Sequence, residues 1–364
     1  MQIRSFSRLI AAIAIAATAI PLVAVSAQQP AKKKKGEAKV LKPPRDQGSF
    51  FKSEQPVTIT LTTNLARLKK DKGEKKPWRS GTITYVDSTG KEHLIPVKLR
   101  TRGIWRLKNC EIPPLRVDFA RATSVGTPFW GLDMPKLTSV CRNDDTYEQY
   151  ILQELQLYRI QSLLTPISHK SRLLYITYVD SANGKVFAKR AAIMLEEPIA
   201  MANRIGGLEV KLKGARADDL DPYQSALAGM FQYFIGNTDW SIAGLHNMEL
   251  LSQADGTVIP IPWDYDFSGA INARYATVDP SLTVSRVRDR LYRGYCAPPE
   301  EFHKVAALFK EKKDAIYALY QDDIGKLLKP NTVKETLGYF DDFYKTIKDK
   351  RGVEREMIDE CLGR

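Results

Sequence analysis

Two acidic clusters lie in a part of the chain that is otherwise rich in apolar strand formers, between residues 237 and 269. This segment begins N-T-D-W-S-I-A-G-L-H-N and ends, after an apolar stretch and a turn, I-P-W-D-Y-D-F-S-G. Carboxylates are costly to desolvate, so a fold that buries the segment must bring a cation to it. Mg²⁺ takes one or two carboxylates together with phosphate oxygens. The segment therefore predicts a site for a divalent metal that carries a polyphosphate.

The N-terminus predicts export. A short apolar run from Leu9 to Val25 follows basic residues, and Val25-Ser26-Ala27 places small residues where a signal peptidase reads them. We expect residues 1–27 to be a signal peptide, with no stable membrane insertion after its removal. Residues 28–50 are polar and lysine-rich, which predicts a basic disordered linker. The mature protein would then lie in the periplasm, in the cell envelope or outside the cell.

The net charge of +13 indicates that the partners of this protein carry negative charge. An excess of this size favours acidic or phosphate-bearing ligands. Basic residues do not alternate with aromatic residues along any stripe, so nucleic acid is not an expected partner.

Four cysteines in an exported chain predict a pair of disulfides, for which three pairings exist. Close C-x-x-C pairs are absent, which argues against a cysteine metal site. Cys110 and Cys141 belong to the first half of the chain, and Cys296 and Cys361 belong to the second half. We predict pairing within each half.

Hydrophobic periodicity predicts an α+β fold with two lobes and a cleft between them, a sheet-rich lobe over 51–200 and a helical lobe over 201–364. The predicted strands are Val57–Thr62, Gly81–Val86, His93–Thr101, Pro114–Phe119, Lys136–Val140, Arg172–Val179, Val186–Met194, Met248–Leu251 and Val258–Pro262. The predicted helices are Tyr147–Leu164, Pro222–Ile235, Glu300–Leu328 and Thr332–Lys348.

A hairpin over residues 247–262 would bring the two acidic loops together. Asp239 and Asn247 at one end would then meet Asp264 and Asp266 at the other. In phosphoryl-transfer sites one Asp handles the acceptor hydroxyl, while an Asn and a second Asp hold metal.

These residues resemble a known family. The pattern G-N-T-D-W-S-x-x-x-x-H-N, followed by P-W-D-Y-D-F-S-G, resembles the spore-coat protein H (CotH) kinase family, which has an atypical protein-kinase-like fold. The resemblance runs from Arg100-Thr101-Arg102-Gly103 through Lys136 and the 147–164 helix to Gly269. It implies a two-lobed kinase-like fold that binds ATP with Mg²⁺ or Mn²⁺.

The same resemblance assigns roles in the acidic segment. It implies that Asp239 is the catalytic aspartate, that Asn247 is a metal ligand, and that Asp264 or Asp266 is the other ligand. We prefer Asp266 as the direct ligand, because D-F-S-G resembles the D-F-G turn of ordinary kinases.

A kinase-like site also needs a lysine that a helical glutamate orients. Lys136 on a strand and Glu154 on the following helix would form this ion pair. The alternative is that Glu154 lies on the surface or pairs with Arg159 or Arg190.

Two further residues are candidates for nucleotide contacts. Arg102 could cover phosphates, since a guanidinium matches their oxygens, or it could brace the sheet-rich part. Glu196 falls where a hinge would contact adenine. His246 is interpreted as a structural hydrogen-bonding residue beside Asn247.

The predicted function is phosphoryl transfer from ATP to a Ser or Thr hydroxyl of a protein acceptor. An exported protein meets little ATP outside the cytoplasm, so two alternatives stay open. One is transfer of a nucleotidyl or glutamyl group in the same cleft. The other is a non-catalytic envelope or coat assembly protein.

Overall fold

The structure is a computed structural model, and it describes residues 49–211 and 213–363. The predicted signal peptide, and the predicted linker up to residue 48, lie outside the described residues.

Seven strands form a closed barrel in the order β1-β2-β3-β4-β5-β7-β6. Neighbouring strands are antiparallel, except that β6 returns to β1 in parallel and closes the barrel. The strands are β1 Val57–Thr63, β2 Arg79–Val86, β3 Glu92–Thr101, β4 Leu115–Phe119, β5 Lys136–Ser139, β6 Ser171–Asp180 and β7 Val186–Leu195.

Alternating apolar residues explain why these segments pair as strands. In β1 the side chains of Val57, Ile59 and Leu61 are buried, while the residues between them are exposed or half-buried. This period of two places one face of the strand in the core. The parallel register with β6, which pairs Val57 with Leu174, joins the edge of β1 to a strand more than a hundred residues away.

The prediction of a two-lobed kinase-like fold is wrong. The sheet is not an open layer that faces a cleft, because β6 pairs with both β7 and β1 and the barrel closes. One hydrophobic cluster continues from the barrel strands into the C-terminal helices. The predicted boundary at residue 200 stays a prediction.

The first helices connect barrel strands, and the later helices follow the last barrel strand along the chain. They are α1 Leu65–Lys70, α2 Trp105–Asn109, α3 Arg121–Ser124, α4 Asp145–Leu164, α5 Pro198–Arg204, α6 Pro222–Ile235, α7 Pro299–Ala318, α8 Pro330–Thr346 and α9 Lys350–Val353. A second antiparallel sheet has the order β10-β9-β8, from β8 Leu208–Val210, β9 Met248–Ser252 and β10 Val258–Pro262.

The long helix α4 is buried on nearly all sides, which forces its polar side chains to find partners. Gln153 accepts a hydrogen bond from Thr336, Gln156 donates to the Leu319 carbonyl, and Gln161 donates to the Pro262 carbonyl. These three glutamines therefore tie the helix to the C-terminal helices and the ribbon.

The helix predicted over 300–328 ends early. In the structure α7 stops at Ala318, and a turn leads into a short 3₁₀ helix at Gly325–Leu327. The Asp322 carboxylate accepts hydrogen bonds from the backbone N–H groups of Ile324 and Gly325. This side-chain cap offers the backbone an alternative to continuing the helix.

Both predicted disulfides are confirmed, Cys110–Cys141 and Cys296–Cys361. Such bonds are typical of proteins that fold in oxidising compartments. Over residues 49–211 and 213–363, no helix has both the length and the apolar content needed to cross a bilayer.

Gly236 ends α6 in the left-handed conformation, with φ of 64°, and directs the chain into the first acidic loop. We predict that Gly236→Ala lowers the free energy of unfolding by ~1–3 kcal/mol, since a non-glycine residue is strained there. The new methyl group would also collide with the Tyr339 hydroxyl. Gly338→Ala is the matched control in α8, because nothing lies near its added Cβ. Urea unfolding should show the control unchanged or slightly more stable; equal stability of the two variants would contradict the prediction.

Candidate functional site

The first acidic loop, residues 237–247, is a small hairpin that follows α6. Ser241 and His246 exchange backbone hydrogen bonds of 2.9 and 3.0 Å. The side-chain oxygen of Asn237 accepts a hydrogen bond from the Asp239 N–H at 3.0 Å. The backbone carbonyl of Asn237 accepts one from the Trp240 indole N–H. These contacts hold the Asp239 backbone in one position.

Both oxygens of the Asp239 carboxylate have partners. Oδ1 lies 2.8 Å from His246 Nε2, and Oδ2 accepts from the Asn247 amide at 3.1 Å. The Asp239 side chain is still 39% exposed. The hydrogen bond to Asp239 raises the pKa of His246, with burial opposing. The loop therefore presents an oriented carboxylate to solvent.

The predicted ribbon is confirmed, and it brings the two loops together. Met248 at the start of β9 pairs with Pro262 at the end of β10. The residues just outside this pair, Asn247 and Asp264, have positive φ values of 50° and 63°. Such conformations cost of order 1–3 kcal/mol each in non-glycine residues and cluster at functional sites. Asn247 is held by Asp239, and the Asp264 N–H donates to the Tyr158 hydroxyl at 2.9 Å.

Three acids form what we call the carboxylate cluster, Glu154, Asp264 and Asp266. Glu154 comes from the middle of α4, whereas the two aspartates follow β10. Glu154 is 1% exposed and Asp266 is 4% exposed. Unlike the buried glutamines of the same helix, Glu154 has no hydrogen-bond partner on either oxygen, and Asp266 Oδ2 also lacks one. Buried polar atoms without partners are rare in folded proteins, which makes these oxygens candidates for contact with a ligand.

Arg106 in α2 is the cation at the centre of the carboxylate cluster. Its Nη1 lies 3.6 Å from Glu154 Oε2, and its Nε lies 3.7 Å from Asp266 Oδ2. Its Nη2 donates to the Ser139 carbonyl at 2.8 Å. The two carboxylate distances are too long for hydrogen bonds. Arg106 thus neutralises charge but leaves the facing oxygens free.

Burial perturbs the acids of the cluster. It raises the pKa of Asp266, an effect that Arg106 opposes and that Asp264, together with the more distant Asp239, reinforces. Burial likewise raises the pKa of Glu154, with Arg106 opposing and both aspartates adding to the rise. Crowded acids of this kind hold protons that a cation could displace.

The predicted ion pair between Lys136 and Glu154 does not form. Lys136 Nζ instead donates to Glu249 of β9 at 2.8 Å, and it lies 3.4 Å from the centre of the Trp263 ring. Burial lowers the pKa of Lys136 to about 8, with Glu249 opposing. The alternatives of a surface Glu154 and of pairing with Arg159 or Arg190 are wrong as well, since Glu154 is buried beside Arg106.

Arg102 lies at the edge of the carboxylate cluster. Its guanidinium donates to the Thr138 hydroxyl at 2.5 Å, and its centre is 5.7 Å from the centre of the Trp263 ring. Burial lowers the pKa of Arg102, and the Asp264 charge is the strongest opposing influence.

Glu196 lies in a separate ion pair. It is bound by Arg204 through two hydrogen bonds of 3.0 and 2.8 Å, and it accepts the Lys170 N–H. These contacts tie the end of β7 to α5. They leave Glu196 apart from the residues that the structure brings together around Asp264.

Sequence reasoning missed Arg106 and Glu249. Arg106 lies three residues after the R-T-R-G motif. Its position four residues before Cys110 is the only sequence feature that could have pointed to it. Nothing local to Glu249 marks it, because a charged residue in a short ribbon is common. Tyr275 was also missed; its hydroxyl lowers the pKa of Asp266, and its ring stacks on Trp105 with centroids 5.0 Å apart.

An open cavity of about 560 Å³ adjoins the Asp239 carboxylate. Its walls include Asp239, His246, Phe267 and Arg293. Arg293 donates to the carbonyls of Thr238 and Trp240 and so braces the loop. The cavity is large enough for a side chain or a small molecule beside the oriented carboxylate.

Within residues 49–211 and 213–363, no three His, Cys, Asp or Glu side chains are grouped so that they could hold a metal ion. Mg²⁺ in nucleotide sites keeps waters and phosphate oxygens, and it needs only one or two carboxylates from the protein. The free oxygens of Glu154 and Asp266 fit this requirement better than they fit a cage of protein ligands.

No model of a known protein family matches the chain, and no curated protein is significantly similar to it. Inference about the site therefore begins from its own residues.

The raised pKa values of Glu154 and Asp266 predict a pH dependence. The folded protein binds protons that the unfolded chain has released above pH ~4, so the free energy of unfolding falls as pH rises from ~4 towards the raised values. Glu154→Gln should flatten this fall in the metal-free protein. Glu335→Gln, an exposed glutamate of α8, is the control. Lys136 acts with the opposite sign and only above pH about 8, so the two effects separate in urea unfolding series. Asp266 keeps part of the fall in Glu154→Gln, so a fall as steep as that of the parent would contradict this account.

Proposed function

We propose that this protein transfers a phosphoryl group from ATP, with Mg²⁺ or Mn²⁺, to a hydroxyl of a protein acceptor. The observation that carries the proposal is the set of buried carboxylate oxygens without partners on Glu154 and Asp266. The motif resemblance to the CotH family supports the same chemistry, although the kinase-like architecture that it implied is wrong. The chemistry thus rests on the site and not on a fold class.

The cation would be held by Asp266 and Asp264, with the Asn247 amide as a further oxygen ligand. When bound, it would neutralise the phosphate oxygens on which charge develops during transfer. Arg106 and Arg102 keep the protein side of the cluster close to charge balance, so the pocket does not repel a phosphate. Lys136 lies beside Arg102 and adds a buried positive charge.

The residue that handles the acceptor would be Asp239. His246 and Asn247 orient its two oxygens, and the adjoining cavity gives an acceptor side chain access to it. A carboxylate held in this way can take a hydroxyl proton as the hydroxyl attacks, a contribution of typically 10²–10⁴ in rate. The same contact raises the pKa of His246, whose ring holds the carboxylate in position.

We also propose that the protein is exported to the periplasm, the cell envelope or the medium. Its two disulfides support an oxidising compartment. Mass spectrometry of the protein from cell fractions should then find Gln28 as the N-terminal residue. An intact N-terminus in the cytoplasmic fraction would contradict export.

Two substitutions separate binding from chemistry. Asp266→Asn should abolish metal-dependent ATP binding, because it removes a ligand charge, and it should leave the metal-free protein at least as stable as the parent. Asp239→Asn should keep ATP binding and lower turnover about a hundredfold or more. Binding is measured by thermal unfolding with Mn²⁺ and ATP, where saturation a hundred times above Kd adds about 2.7 kcal/mol.

Asp323→Asn is the control, since its side chain is 97% exposed. Turnover is followed with ATP labelled at the γ- or α-phosphate and with labelled glutamate. Label from the γ-phosphate on the acceptor supports the proposal, whereas α-label or glutamate would replace it with nucleotidyl or glutamyl transfer. Binding of ATP that is unchanged in Asp266→Asn would remove the carboxylate cluster from the function.

A further inference from the structure

A second cavity, of about 450 Å³, lies on another side of α4 from Glu154. We call it the basic cavity. It is walled by α4, the start of β6 and the segment that precedes β1. Its charged lining comprises Lys52, Glu54, Arg159, Lys170 and Arg172.

The charges in this lining do not balance. Arg159 and Glu54 pair with each other at 2.8 Å, and Arg159 also binds Asp322 at 2.6 Å. Among the described residues, the side-chain ammonium groups of Lys52 and Lys170 form no ion pair, although the Lys170 backbone N–H donates to Glu196. Glu54, the acidic residue of the lining, is therefore already paired, and the charges without a partner are positive.

The burial of Arg172 makes this excess of positive charge costly in free energy. It is only 8% exposed, and it donates to the carbonyls of Gln55 and Phe50 at 2.8 and 2.7 Å. Among the described residues Arg172 forms no ion pair, since Glu54 of the same lining pairs with Arg159. A buried guanidinium that is bound only by neutral oxygens lacks the counter-ion that such a charge normally has.

Apart from Ser162 and Ser171, the rest of the lining is apolar, and it includes Phe51, Leu155, Leu163 and Leu173. Apolar walls with a few convergent charges are typical of sites for small molecules. The chain segment before residue 49 is itself rich in lysine, so its charge does not suit this cavity.

We propose that the basic cavity binds a small amphiphilic anion, an organic phosphate or carboxylate with an apolar group. The anionic head would lie between Lys52, Lys170 and Arg172, and the apolar group would contact the leucines of α4 and β6. This site is separate from the carboxylate cluster and does not depend on the proposed transfer reaction.

The test is calorimetric titration of the mature protein with octyl phosphate, octanoate, octanol and inorganic phosphate. We expect one or both amphiphilic anions to bind, octanol not to bind, and inorganic phosphate to bind more weakly. The relative affinities of octyl phosphate and octanoate identify the head group.

Lys52→Gln with Lys170→Gln should weaken binding of the octyl anion by about tenfold or more, which is ~1.4 kcal/mol. Neither lysine supports the core, so this variant keeps its fold even if Arg172→Gln does not. Lys334→Gln, an exposed lysine of α8, should bind like the parent, and so should Asp266→Asn. Equal affinity for octanol, unchanged affinity in the double variant, or no binding of either octyl anion would overturn the proposal.

Discussion

The carboxylate cluster at the centre of this molecule depends on one buried guanidinium. Arg106 lies between Glu154 and Asp266, and it reaches both carboxylates at distances that attract without a hydrogen bond. Without it, the buried Glu154 and Asp266 and the half-buried Asp264 would have, among the described residues, only Arg102 as a neighbouring guanidinium, and their mutual repulsion would oppose folding. With it, the charge of the acids is compensated, but buried oxygens of Glu154 and Asp266 still lack hydrogen-bond partners. The same side chain therefore compensates the charge of the acids and leaves these oxygens without hydrogen bonds.

Helix α4 shows how selective this lack of partners is. Its buried glutamines each have a hydrogen-bond partner that joins the helix to another element. Only Glu154, among the buried polar residues of α4 discussed above, faces a cation at long range and nothing closer. Because unmade hydrogen bonds in the interior are expensive, a fold that needed α4 only for packing would be better served by an apolar residue there.

Much of the secondary structure was predictable, since periodicity is a local property of the sequence. The helix α6, the ribbon β9–β10 and the meeting of its flanking loops followed from patterns within a few residues. The closed barrel was not predictable in this way. Its last contact joins β1 to β6 in parallel across more than a hundred residues, and apolar alternation does not specify a partner strand.

The same distinction holds inside the candidate site. Asp239, Asn247, Asp264 and Asp266 were proposed as site residues because two loops flank one hairpin, and the hairpin itself is present in the structure. The partner of Lys136 was predicted wrongly, because Glu154 and Glu249 are equally charged and only tertiary packing turns Lys136 towards β9. Arg106 was missed because a five-residue helix beside a disulfide has no sequence pattern of its own.

The bond between Cys110 and Cys141 gives this site a chemical dependence on its surroundings. Cys110 ends the short helix that carries Arg106, and Cys141 follows β5, whose Ser139 carbonyl binds the Arg106 guanidinium. The counter-charge of the cluster is thus anchored by a covalent link that reducing thiols can break. A newly made chain in a reducing compartment would hold its acids without a fixed cation. Assembly of the centre would then be delayed until the chain reaches an oxidant.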